Sequence, residues 1–508
     1  MLLVDKLFGS TARVCFTVGL YFSAITILRL WIFPGVAEDD AEQFYYAQSW
    51  ALGYKGSQPP LFTWLVKVAE AVFGVGALAL FIVKYLILFG FYFFSYLTAR
   101  AIIQDRGLAI FAAFSPVALY YVGWDGVVNY SNSLILAASQ AATLYALLRL
   151  RHQAHFGTYL FLGLAISCGF LAKYNFVLSL LPLLVAGLWQ PDIGRGLRSR
   201  KIILTIVVIL CAVLPHGYWA ITDPQGLATV LNSSVRPWDS ASHWAVGTLS
   251  GLAKLVVGIV AFTLPASLLM IACFARPMMN SRKSGAEITQ FFEIYFVCYF
   301  AILIITVVGT QATDIQNHWL MGMLPFSLYV FARLDGHAQD ITERARKFFG
   351  GSLVVMSLAV IVALTGRSII APDTCRKCNF FIPWADISSE IRTAGFNGGT
   401  IVAFDYPNQI SGNLRRYFPE SRVMSARFSP LQAPPIKSNG GCLIIWSPNA
   451  EPTGYERQRV TQYANLLLNA SLSGEERVND LSAHIQGSDG RAITVQYTLI
   501  KEGAGDCR

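Results

Sequence analysis

Apolar stretches of about 20 residues recur from Thr11 to about Ile370, and each is long enough to cross a hydrocarbon core as a helix. Eleven are countable, near 12–34, 76–99, 107–123, 128–149, 157–173, 175–190, 202–222, 247–275, 289–310, 319–333 and 349–369. In 508 residues that are 54% apolar and 14% charged, this pattern excludes an ordinary soluble protein. It predicts a polytopic α-helical membrane protein of about 11 transmembrane helices over 1–370. The first run is too long for a removable signal peptide and lacks a small-residue cleavage site, so it is expected to stay as an anchor. Beyond Ile370 the composition turns to that of a soluble domain, 371–508.

The basic residues give an orientation. Alternate loops carry Arg100 and Arg106, Arg149 and Arg151, Arg195 to Lys201, Arg276 to Lys283, and Arg344 to Lys347, and these are expected inside. Asp39, Asp40, Asp125, Asp223, Asp239 and Asp314 lie in the other loops. An odd helix count then places the N-terminus in the cytoplasm and the tail outside. The net charge of +9 is divided among loops, so it is an orientation signal and no nucleic-acid footprint.

The first outer stretch, Asp39 to Trp64, concentrates the chemistry. Asp39, Asp40 and Glu42 fall within four residues, followed by an aromatic segment, Gly53-Tyr54 and Pro59-Pro60. Carboxylates are costly inside a bilayer and belong where a helix emerges into water. Leu61 to Gly74 is apolar at helical spacing but interrupted by Lys67 and Glu70, as in a helix lying along the membrane. With residues 42–52 it predicts two interfacial helices bracketing a loop.

Asp-Asp-Ala-Glu, the aromatic run, Gln48, Gly53-Tyr54 and Pro59-Pro60-Leu61 resemble the first outer loop of the polyprenyl-phosphate-sugar-dependent glycosyltransferases of the GT-C fold. Protein O-mannosyltransferases, the lipid A aminoarabinose transferase and rhizobial lipopolysaccharide galacturonosyltransferases belong to that family. The resemblance, which covers roughly 20–330, puts Asp39 at the catalytic base, Asp40 in place of the family's Glu, and Gln58 in place of its Lys. It implies a polyprenyl-phosphate-linked sugar donor and an acceptor outside the cytoplasm, lipid A or lipopolysaccharide core, with galacturonic acid or aminoarabinose as the sugar. Protein O-mannosyltransferases of eukaryotes carry a further domain absent here, which points to a bacterial inner membrane.

Further candidates follow the same resemblance. Lys173 and Tyr174, in Gly169-Phe-Leu-Ala-Lys-Tyr-Asn175, match the family's Ser/Ala-Lys-Tyr motif, and Lys173 is expected to meet the lipid phosphate. Lys84 reads equally as a lysine snorkelling to the interface and as a phosphate contact. An Asp that the family carries before its fourth helix falls near Asn132 here, leaving Asp125 or the Asn129 and Asn132 pair as substitutes. Arg236, in the loop from Asp223 to Trp244, offers a fork for a carboxylate or phosphate or sits in an ordinary solvated loop. His318 precedes Trp319 and Pro325, where a histidine is a helix cap or a contact to the sugar or its phosphate.

The tail carries candidate strands at 400–406, 442–447 and 493–502 and helical stretches at 384–393 and 455–469, a small α/β module. Cys375, Cys378, Cys442 and Cys507 make an even number outside the membrane and favour disulfides over half a zinc site, with the pairing unreadable. No cofactor is obligatory for such a transfer, no metal ligand set is named, and a divalent ion is left open. The competing reading is a transporter or lipid-linked-sugar flippase. Such proteins keep their charges at the midplane in repeated halves, whereas here the carboxylates cluster in one outer loop.

Overall fold

The computed structural model describes residues 8–36, 39–54, 58–223, 244–280, 287–312, 315–374, 379–404, 409–425, 440–448, 457–488, 490–503 and 505–507. Its contacts divide into two compact units, each built from several stretches of chain.

The first unit, Met1–Ser23, Gly56–Leu61 and Lys84–Val360, is helical. Its helices in chain order, some of which run on into the second unit, are α1 (Thr11–Ile32), α4 (Ala77–Ile102), α5 (Arg106–Phe114), α6 (Tyr120–Gly123), α7 (Asp125–Val128), α8 (Asn132–Arg149), α9 (Phe156–Ala172), α10 (Val177–Trp189), α11 (Pro191–Leu197), α12 (Ile202–Thr222), α13 (Trp244–Asn280), α14 (Glu287–Thr310), α15 (Phe326–Asp335) and α16 (Glu343–Thr374). Helix stands at every one of the eleven apolar runs, but fewer reach across a bilayer. Among the described residues six are long and apolar enough to cross, or eight if each of two bent pairs is one span.

The shortfall has local causes. The run at 107–123 breaks at Pro116 and turns by 80° before α6 and α7, and the run at 175–190 turns by 112° into α11, which Pro191 opens. The run at 319–333 begins as a 3₁₀ turn, Asn317–Met323, and passes Pro325 before α15. A 10-residue helix rises only about 15 Å. Helix α8 is long enough, but it buries Ser133, Ser139, Gln140 and Thr143 within the bundle, which lowers its hydropathy below that of a lipid-facing span. By contrast α12 leaves Ile203, Ile206, Val207, Leu210 and Leu214 exposed on its surface.

The second unit, Ala24–Lys55, Phe62–Val83 and Ile361–Arg508, joins the carboxylate-bearing stretch to the tail. Helix α2 (Asp39–Tyr46) holds all three carboxylates in its first turn, where they complement the positive end of the helix dipole. The expected helix at 42–52 is therefore shifted, starting at the carboxylates and ending before Ala47. Helix α3 (Leu61–Phe73) buries Phe62, Thr63, Val66, Ala69 and Glu70. Its exposed face carries Leu65, Val68, Val72 and Phe73, so the apolar side is the outward one.

The tail supplies a five-stranded mixed sheet with strand order β2-β1-β3-β5-β4, where β1 is Thr400–Phe404, β2 Arg422–Ser425, β3 Cys442–Trp446, β4 Asn479–His484 and β5 Ala492–Ile500. The first three pair in parallel, and β5 runs antiparallel to β3 and β4. Alternation sends Ile401 and Ala403 to one face and Val402 and Phe404 to the other. Helices α17 (Trp384–Thr393) and α18 (Gln409–Tyr417) contribute to the core on the first face, and α19 (Arg457–Leu468) to that on the second. Tyr45, Tyr46 and Tyr54 of the outer stretch belong to the first core. A disulfide joins Cys442 to Cys507, with Cα atoms 5.2 Å apart, while Cys375 and Cys378 lie outside the described residues.

Candidate active site

The three carboxylates of α2 differ in surroundings. Asp40 is 1% exposed, and its Oδ2 accepts from Arg29 Nη2 at 3.4 Å. Arg29 comes from the last turn of α1 and lies 4.2 Å over the Phe81 ring, itself buried. Removing either ion would strand the other out of water, so this pair ties the start of α2 to the end of α1. Glu42 is half-buried, and Asp39 is the exposed member of the trio. Downstream, Gln43 Oε1 accepts from Thr63 Oγ1 at 2.6 Å, and Lys67 Nζ donates to the carbonyls of Ala47 and Gln48 at 3.0 and 3.1 Å. These bonds tie α2 to α3 across their buried faces.

The helical unit gathers a different set. Lys173 closes α9, and its ammonium donates to Ser133 Oγ at 2.9 Å. Asn175 Nδ2 donates to the carbonyl of His318 at 2.7 Å, which fastens the Asn317–Met323 turn to the turn after α9. Burial, and then the neighbouring Lys173 charge, hold the His318 imidazole down to about 3 from its ordinary 6.5, so it is neutral at physiological pH. Tyr174 hydroxyl and His216 Nε2 are 2.9 Å apart, and the His216 ring stacks between Tyr174 and Trp219. Tyr299 hydroxyl braces the same 3₁₀ turn by donating to the Trp319 carbonyl at 2.6 Å.

Lys84 is fully buried and donates to the Val128 carbonyl at 3.2 Å, so its ammonium does not snorkel to a water-exposed surface. Asp125, also buried, accepts from Asn129 Nδ2 at 2.9 Å. The Oδ1 of Asn132 is buried and has no hydrogen-bond partner among the described residues. Gln58 is half-buried in the short 56–61 stretch of the helical unit. Arg236 lies outside the described residues. Among those described, no group of three His, Cys, Asp or Glu side chains is placed to hold a metal ion.

A family model described as dolichyl-phosphate-mannose-protein mannosyltransferase matches residues 57–219. The lipopolysaccharide core galacturonosyltransferase RgtA of Rhizobium johnstonii is 26% identical over 487 residues, 95% of this chain and 96% of its own length. RgtB of the same organism, described by the same activity, is 26% identical over 84% of this chain and 85% of its own. The chain is a glycosyltransferase, and its likenesses are to the GT-C kind. A crystal structure of ArnT from Cupriavidus metallidurans bound to undecaprenyl phosphate shares the fold, with a TM-score of 0.61 at 14% identity, covering 97% of this chain and 98% of that one. This GT-C enzyme is an integral-membrane glycosyltransferase, and nothing in these likenesses favours a transporter.

Sequence reasoning named the carboxylates, Lys173, Tyr174 and His318 as candidates, and it did not name three residues that the structure places against them. Arg29 had a signal, a lone arginine at the end of an apolar run one short loop before the carboxylates. His216 had a weaker one, a histidine beside Pro215 within the run at 202–222. Ser133 had none, because a serine in a helix is compatible with any role.

Proposed function

We propose that this glycosyltransferase moves a uronic acid, galacturonic acid in the first instance, from a polyprenyl phosphate carrier to the lipopolysaccharide core on the outer face of a bacterial inner membrane. The observation that carries the reading is the near full-length likeness to two core galacturonosyltransferases. In the reaction the acceptor hydroxyl oxygen bonds to C1 of the sugar, and the C1–O bond to the carrier phosphate breaks with its electron pair leaving on that phosphate. The hydroxyl proton goes to Asp39, whose exposure suits a group that must meet an acceptor from solution, whereas Asp40 is committed to Arg29. Lys173, with Tyr174 beside it, is assigned to the departing phosphate, whose charge grows as the bond breaks. His318 and buried Lys84 are assigned to the polar wall around the donor, His318 as a neutral hydrogen-bonding group. Arg236 is kept as a contact for the sugar carboxylate, Gln58 as a contact for the donor sugar or its phosphate, and Glu42 as a further member of the catalytic carboxylate set.

Mass spectrometry of lipopolysaccharide from cells with and without the chain tests the reading. The core is expected to gain the mass of a uronic acid residue only when the chain is present. An unchanged core, with the difference in another envelope glycan, would move the acceptor elsewhere. Residues 371–508 are expected outside as an accessory domain, and a topology reporter fused after the last residue would report a periplasmic signal; a cytoplasmic one would refute that orientation.

A further inference from the structure

The carboxylate helix is held by a helix of the tail more than by its own neighbours in sequence. Helix α18 lies along α2, and two consecutive residues of it grip the chain on either side of Asp39. Asn413 accepts the Val36 N–H on Oδ1 at 3.0 Å and donates from Nδ2 to the Val36 carbonyl at 2.8 Å. Both residues are buried, and Asn413 Nδ2 also reaches the Gln409 carbonyl at 2.7 Å, so its amide is locked in one orientation. Gly412 meets Ala41 backbone to backbone, and a Cβ there would stand 2.0 Å from the Ala41 carbonyl oxygen. Any side chain at 412 must push α2 away. One turn on, Arg415 donates to the Phe44 carbonyl at 2.5 Å and to both carboxylate oxygens of Glu70 at 2.8 and 2.6 Å.

We infer that Gly412 and Asn413 are positioning residues for transfer, setting the place of Asp39 through the backbone of α2. The inference rests on Asp39 as the reacting carboxylate. A helix of eight residues cannot fix its own position, and the backbone around Asp39 is gripped at Val36 and Ala41. A displacement of about 1 Å in a reacting group costs on the order of 100-fold in rate, while binding of the lipid donor elsewhere is untouched.

The experiment measures kcat and the donor KM of the purified full chain carrying Gly412→Ala, Asn413→Ser or Asp39→Asn. Val460→Ala serves as control, since Val460 is a buried residue of the opposite core that does not touch α2. Gly412→Ala and Asn413→Ser are expected to lower kcat by 10-fold or more with donor KM within about twofold. The control, compared at the same fraction folded, is expected to keep the kcat of the parent. Asn413→Ser retains a small hydrogen-bonding group and serves if Gly412→Ala does not fold. Parental kcat in both α18 variants, a loss confined to KM, or an equal loss in the control overturns the inference. Full activity of Asp39→Asn would instead strike the underlying assignment of the base.

Discussion

Replacing Glu70 tests whether α3 and the tail are one cooperative structure. In Glu70→Ala the Arg415 guanidinium stays buried but loses both carboxylate oxygens, keeping the Phe44 carbonyl. Arg415 is 2% and Glu70 8% exposed, so water cannot take the vacated place without rearrangement. Breaking a buried ion pair from one side costs about 3–5 kcal/mol, well above the ~0.2–1 kcal/mol of an exposed pair. The double replacement, Glu70→Leu with Arg415→Met, removes both charges and leaves the Phe44 carbonyl short of a donor at about 1 kcal/mol. It is expected to be more stable than either single variant. At about 2–4 °C per kcal/mol for a body of this size, Glu70→Ala should lower the melting point by on the order of 10 °C. Tryptophan fluorescence in detergent at one fixed scan rate reads this, since Trp384 and Trp446 are buried in the tail. A Glu70→Ala melting point within about 2 °C of the parent, or a double variant as damaged as the worse single one, would refute the reasoning.

Three further outcomes follow from the same geometry. Asp39→Asn should reduce turnover by about 10²–10⁴ with donor affinity retained, measured by single-turnover transfer from a purified donor. Asp40→Asn should instead unfold or loosen α2 by exposing Arg29 to loss of its partner, visible as faster proteolysis around residues 39–46. For His318, whose folded pKa near 3 lies below its ordinary 6.5, the unfolded chain binds the extra proton between those values. Stability contributed by that site is therefore full above pH 6.5 and falls as pH drops toward 3, and His318→Gln should flatten that arm of the melting curve.

The helices were legible because lipid imposes a run length and an apolar composition that no other constraint produces; strands β1 and β3 were legible because burial on both faces makes them continuous apolar runs, and β5 because it is rich in β-branched and aromatic residues. What escaped depended on partners far away in sequence. Lys67 and Glu70 read as the water-facing side of an interfacial helix, yet Glu70 faces inward because Arg415, 345 residues away, is there to meet it. Helix α18, Gln-Ile-Ser-Gly-Asn-Leu-Arg-Arg-Tyr, is absent from the helical stretches named in the tail. It is a helix because that glycine permits contact with Ala41, and because Asn413 and Arg415 find backbone and carboxylate acceptors on the first outer stretch. The same holds at the carboxylates. Asp39 and Asp40 are neighbours in sequence, yet Asp40 is buried against Arg29 while Asp39 lies at the surface. A family motif narrows a candidate site to a few residues, and the surroundings of each carboxylate then distinguish the buried Asp40 from the exposed Asp39.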